Sequence, residues 1–223
     1  MKKAVGIIAL AAFIGGAAFG ASQKFTYTNI TRQSDSMDYF KVAEFPEEFV
    51  ESVCLDMKED LAGSNMILRV RGKGERKYSF LGNFIQLVQV EKVYKGDDIK
   101  IHDELYLYRT NWQTSFTGDV QSVELGFSNY IREGKEYLVF IEGKVDSYEG
   151  EEHVYQLLET TIAPVFCYED FENRIIPIPE ETETTYIDYR DVAENEFFAA
   201  TEKTLDALLQ MKAYWLEFFP SDT

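Results

Sequence analysis

From Met66 to Glu159 the chain is a succession of short β-type runs parted by Gly- and Asp-bearing turns, and this rhythm restricts its fold more than any other feature. "NMILRVRGKGERKYSF" opens with period-two alternation, Met66, Leu68 and Val70 pointing one way and Arg69 and Arg71 the other. Gly72-Lys73-Gly74 then marks a bend or bulge. "NFIQLVQVEKVY" is a second strand, rich in Val, Ile and aromatics, whose alternation slips between Glu91 and Val93 as a bulge requires. "DELYLYR" supplies a third, with Leu105 and Leu107 on one face. "EYLVFIEG" is apolar on both faces, which predicts a central strand, and "HVYQLLE" follows the acidic turn "DSYEGEE". Strands of this length and spacing read as a meander or a small barrel.

Helices flank this region. "FPEEFVESVCLDMKEDLAGSN" places Pro46 at a first helical position, with Glu47 and Glu48 beside the positive helix end. Phe49, Val50, Val53, Cys54, Met57 and Leu61 recur at helical spacing, and Gly63 and Asn65 close the segment. Near the C-terminus, "FFAATEKTLDALLQMKAYWLEFF" reads as an amphipathic helix. Thr201 is its N-cap, a stripe runs through Leu205, Leu208, Leu209, Trp215, Leu216 and Phe219, and Pro220 stops it. The stripe is expected to pack on the sheet, a partner's groove being the alternative. Between these segments, "RIIPIPEETETTYIDYRD" carries prolines and an acidic run, predicting an edge segment and a loop.

The N-terminus, "MKKAVGIIALAAFIGGAAFGASQK", has the layout of a secretory signal. Lys2 and Lys3 precede an uncharged run from Ala4 to Gly20, and Ala18 and Gly20 place cleavage before Ala21. The alternative is an uncleaved N-terminal membrane anchor. That run is shorter and more diluted with Ala and Gly than the roughly 20 strongly apolar residues a spanning helix needs. Residues 1–20 are therefore expected to be a signal peptide, residues 21–45 a flexible lead-in and residues 46–219 a single domain. A secreted or extracytoplasmic location in the cell envelope follows, with no stable membrane anchor after cleavage.

The formal charge of -17 becomes -19 once the two lysines leave with the signal. A chain this acidic repels phosphate backbones and anionic lipid surfaces, which argues against nucleic-acid binding and polybasic membrane binding. Two cysteines in an exported chain permit one disulfide, Cys54 to Cys167, worth roughly 4–5 kcal/mol in the chain-entropy model. Two buried free thiols are the alternative.

Few residue patterns carry chemistry. His102, Asp103 and Glu104 are consecutive, so on an extended strand they point to opposite faces, and Asp97-Asp98 lacks a calcium-loop frame. A site uniting His102, His153 and Glu151 or Asp103 is conceivable, but nothing in their spacing brings them together. Neither Lys95-Gly96-Asp97-Asp98 nor "RGKGERK" fits a phosphate loop, and no G-x-S-x-G elbow is present. No cofactor, metal or catalytic residue is expected. Two patches stand out as ligand or partner surfaces. One is the basic hairpin with Arg69, Arg71, Lys73 and Arg76, whose alternative is a solvated, charge-guarded edge strand. The other is "YRTNWQTSF", which sets Trp112 and Phe116 in a loop unless they are tucked into the core.

"FIQLVQVEKVYKGDDIKIHDELYLY", followed by "REGKEYLVFIEGK", resembles the core of exported bacterial OB-type barrels. In these a strand ending in a Lys-Gly turn precedes a Gly-Asp-x-Ile strand start, and a Gly-x-x-Tyr-Leu-Val-Phe strand comes later. The fold is similar to that of netrin modules and tissue inhibitors of metalloproteinases, and the likeness spans about Asn65 to Leu158. His102 stands where the pattern has Gly. The relatives' functional residues do not carry over: the mature start near Ala21-Ser22-Gln23 has no zinc-chelating cysteine, and the chain is acidic where heparin-binding netrin modules are basic. The resemblance thus implies a β-rich α+β fold, an OB-like barrel with an N-terminal and a C-terminal helix. The expected function is that of an exported non-catalytic binding or interaction module, its partner an extracytoplasmic protein or envelope component. A secreted inhibitor of an extracellular enzyme and a weak hydrolase using paired carboxylates are the alternatives.

Overall fold

A computed structural model describes residues 34–79, 81–117, 120–146, 148–176 and 186–221. The chain divides into residues 1–36 and a unit from Met37 to Thr223, and the architecture below is that of the second. The signal peptide and most of the lead-in expected from the sequence lie outside the described residues. No helix among the described residues is long and apolar enough to cross a membrane.

In chain order the strands are β1 (Lys41–Ala43), β2 (Met66–Tyr78), β3 (Asn83–Lys95), β4 (Glu104–Thr117), β5 (Val120–Glu124), β6 (Glu136–Lys144), β7 (Val154–Leu157), β8 (Val165–Cys167) and β9 (Tyr186–Asp188). The helices are α1 (Val50–Ala62), α2 (Tyr189–Val192) and α3 (Glu202–Phe218). The order β3-β2-β6-β7-β4 closes on itself because β3 also pairs with β4, which makes an OB-like barrel. Its one parallel contact joins β4 to β7, at Tyr106–Val154, Leu107–Tyr155 and Tyr108–Gln156. Beyond β4 the sheet continues through β5 and β1 to an edge at β9. Lys41–Ala43, at the end of the stretch expected as a lead-in, is thus part of the sheet, with Phe40, Val42 and Phe45 buried around it.

The alternation seen in the sequence sets the barrel's inside. Leu68 and Val70 on β2, Val88 and Val90 on β3, Leu105 and Leu107 on β4, and Leu157 on β7 are all buried. The β2–β3 register shifts where Glu91 and Tyr94 add a residue each, as the slip in "EKV" anticipated, and again beyond Gly72. β6 is central, bonding β2, β7 and β8, and Tyr137 to Ile141 are buried without interruption.

Both flanking helices form. On α1, Val50, Met57 and Leu61 are buried and Val53 and Cys54 pack against the same core, while Phe49 is turned outward. α3 begins at Thr201, whose hydroxyl accepts from the Thr204 amide at 3.2 Å. It packs Leu205, Leu208, Met211 and Trp215 onto the barrel, with Trp215 edge-on to Phe140 of β6 at 5.0 Å. The stripe that might have served a partner therefore covers this protein's own sheet.

Cys54 and Cys167 are both free, so the disulfide that the sequence permits does not form and the alternative of two free thiols holds. They fill separate packing positions. Cys54 is half-buried on α1 beside Ala207 and Met211 of α3, whereas Cys167 is wholly buried on β8, its amide donating to Glu196. Burial pushes both thiols away from the reactive thiolate, that of Cys167 up to about 11.

Candidate functional site

One end of the barrel opens into a cleft of about 550 Å³. β4 and β7 begin at this end and β6 finishes there, so three strand ends and the β3–β4 turn converge on it. Lys144 lies directly opposite Tyr155 in the β6–β7 register. By the two-residue period of a strand, Tyr155 shares the face of the buried Leu157, and His153 precedes β7 at the cleft. Ile99 and Leu105 form the apolar floor, and Asp98, Asp103, Glu104, Lys144, His153 and Tyr155 form the polar wall.

The β3–β4 turn that carries the acids is built on two residues with positive φ. Gly96 has φ +118°, and a Cβ there would stand 2.7 Å from Met66 Cγ, so only glycine fits. His102 has φ +74°, the left-handed conformation that the Gly of the resembling pattern adopts at no cost. Its amide donates to Val90 O at 2.8 Å and tucks the turn back onto β3. Asp103 closes the turn by accepting from the Lys100 amide through Oδ2 at 2.8 Å. Asp98 and Asp103 line the same cleft as Tyr155, whose hydroxyl is held above its usual range by burial and then by the charges of Asp103 and Asp98. His153 thus meets Asp103 at one cleft, while His102 stays exposed outside its lining. Among the described residues no group of three or more His, Cys, Asp or Glu side chains is placed to hold a metal ion.

The basic hairpin is largely engaged within the chain. Arg71 bonds Glu91 at 2.7 Å and also Glu136, which Arg69 approaches at 3.5 Å. Lys73 pairs with Glu104 at 3.2 Å, tying the hairpin to the rim of the cleft. Arg76 lies over the ring of Tyr130, 4.2 Å from its centroid. The aromatics expected in a loop stand instead on β4, because that strand runs on to Thr117. Trp112 is 2% exposed, stacks on Phe84 with centroids 5.6 Å apart and donates to Leu125 O at 3.2 Å, so it belongs to the core. Phe116 is 59% exposed and touches Phe40 edge-on at 5.5 Å.

Four buried charged residues left little or no trace in the sequence. Lys212 on α3 bonds Glu196 at 2.7 Å, and both are almost wholly enclosed; burial raises the Glu196 carboxyl against the pull of Lys212. Arg109 on β4 is fully buried, donates to Thr160 O and lies 3.7 Å from Glu159, and burial pulls its guanidinium down to about 10. Glu44, following β1, is pushed up to about 7 by burial. Only Lys212 left a signal: it shares the buried stripe of Leu208, Met211 and Trp215 at helical spacing. Tyr155 and Lys144 of the cleft were hidden for another reason. Their approach to Asp98 and Asp103 depends on the parallel β4–β7 contact, which no local pattern encodes.

No family model matches this chain, and no curated protein does.

Proposed function

We propose that the protein is a non-catalytic binding module acting outside the cytoplasm, with the open end of the barrel as its ligand-facing site and the adjoining hairpin, Arg69 to Arg76, as the rim a partner meets. The observation that carries this reading is the cleft itself. Its volume lies within the range of ligand pockets, roughly 300–1,000 Å³, and it joins an apolar floor to convergent polar groups, the usual composition of such sites. Burial shifts both thiols upward, away from the reactive thiolate, which weakens the case for a cysteine nucleophile. The signal-like N-terminus supports the location, and the barrel supports kinship in form with exported OB-type modules.

The test is affinity capture by the chain without residues 1–20, from the envelope and secretome of its own source, with lysine-directed crosslinking. A partner crosslinked through Lys144 or Lys73 supports the reading. Recovery of no partner, or of one attached only through lysines remote from that end, such as Lys203, overturns it. Substrate turnover abolished by one carboxylate substitution would replace the module with a hydrolase.

A further inference from the structure

We propose that the barrel mouth recognises a primary ammonium group, carried by a small amine or by a lysine side chain of a partner. The proposal rests on reading the mouth as the ligand-facing site and adds the chemistry of what enters it.

Tyr155 is only 8% exposed and lines the cleft, yet its hydroxyl makes no hydrogen bond among the described residues. The ring is enclosed, whereas the hydroxyl is open to solvent in the cleft, where a ligand can take the place of water. The carboxylates that act on that hydroxyl are Asp103 and Asp98. Of Asp103, one oxygen is engaged by the Lys100 amide, and the other is free to accept. Asp98 forms no ion pair or hydrogen bond among the described residues. Glu104 is already neutralised by Lys73 at 3.2 Å. The acceptors left toward the cleft are therefore Asp98, the second oxygen of Asp103 and the Tyr155 oxygen, a set that suits the three N–H donors of an ammonium. Lys144, also in the lining, makes no ion pair among the described residues and favours a ligand whose remainder is neutral or anionic.

The experiment is isothermal titration of the chain without residues 1–20, with amide resonances of Asp103, His153 and Tyr155 followed by NMR. Ethanolamine, 4-aminobutyrate and Nα-acetyl-lysine amide are the probes, and the N-acetylated form of each is its control. Saturable binding that moves those resonances and vanishes on acetylation is expected. Asp98→Asn and Tyr155→Phe should each weaken it, the former by about tenfold or more, as loss of a charged hydrogen-bond partner does. Preference for Nα-acetyl-lysine amide assigns the ammonium to a partner protein, and preference for the other two assigns it to a free amine. Equal binding of acetylated forms, unchanged affinity in both variants, or no binding by any probe overturns the proposal. If calcium chloride moves the same resonances and the amines do not, the ammonium assignment falls while the mouth remains a site. A partner captured only through other surfaces would overturn the mouth itself.

Discussion

At His102 the backbone takes φ +74°, a conformation that costs an ordinary L-residue roughly 1–2 kcal/mol and glycine almost nothing. The side chain is exposed, so replacing it removes no packing. His102→Gly is expected to stabilise the fold by about 0.5–1 kcal/mol, after allowing for the freer unfolded chain. Thermal unfolding should show a midpoint roughly 1–4 °C higher for a domain of this size, and a lower midpoint would show that the imidazole is engaged. Glu44 makes the opposite kind of demand. It is 6% exposed, and its Oε2 has no hydrogen-bond partner among the described residues, so burial opposes its charge and holds it at about 7. A carboxyl whose folded value is raised binds more protons folded than unfolded between its ordinary value and about 7. Its stabilising contribution is complete at the acid side of that window and is lost as pH rises through it. Glu44→Gln should therefore flatten the fall in stability between pH 5 and pH 8, a difference of at most about 3 kcal/mol by linkage. Urea unfolding at both pH values checks this, and an unchanged slope would show that Glu44 stays ionised.

At the scale of elements, α3 is fastened to the sheet by a hydrophobic stripe and by one buried ion pair. Lys212 reaches Glu196 at 2.7 Å and the carbonyl of Glu169 at 2.8 Å, and Glu196 in turn accepts from the Cys167 amide at 2.8 Å. Helix, connecting loop and β8 thus meet at one charge pair. Lys212→Ala strands a buried carboxylate and should cost about 3–5 kcal/mol, whereas Lys212→Met combined with Glu196→Gln should recover most of that loss. A double-mutant cycle by chemical denaturation measures the coupling, and additive losses would show that the two groups act separately. The helix itself was legible because Thr201 and its apolar spacing are local signals. The strands of the barrel were legible for the same reason, down to the bulge at Glu91. Residues meeting across strands far apart in sequence were not, as the Tyr155–Asp98 approach illustrates. The two cysteines show the limit from the other side. Their positions on a buried stripe and a buried strand could be read, but whether their Cα atoms come near enough to bridge depends on tertiary placement. For Trp112 the sequence leaves a loop and the core both open, and the choice falls to the core because β4 runs on through it to Thr117.

For the whole molecule the governing quantity is charge. The formal charge is -17, and Arg69, Arg71 and Lys73 of the hairpin are already paired with carboxylates of the same chain. The acid surplus is therefore spread over the surface, where like charges repel across distances that low salt does not screen. Adding salt has opposing effects on this protein. It weakens exposed pairs such as Lys203–Glu47 and Lys73–Glu104, which contribute little, and it relieves the self-repulsion of the folded state. The enclosed Lys212–Glu196 pair is screened little, since water and ions do not reach it. Self-repulsion, which acts through every surface carboxylate, should win. The urea midpoint is expected to rise between about 10 mM and about 150 mM sodium chloride, by a stability gain on the order of 1 kcal/mol. Urea is the proper denaturant here because guanidinium chloride is itself a salt. A midpoint that falls with salt would mean that the surface ion pairs outweigh the repulsion, and that the hairpin charges contribute more to stability than their exposure suggests.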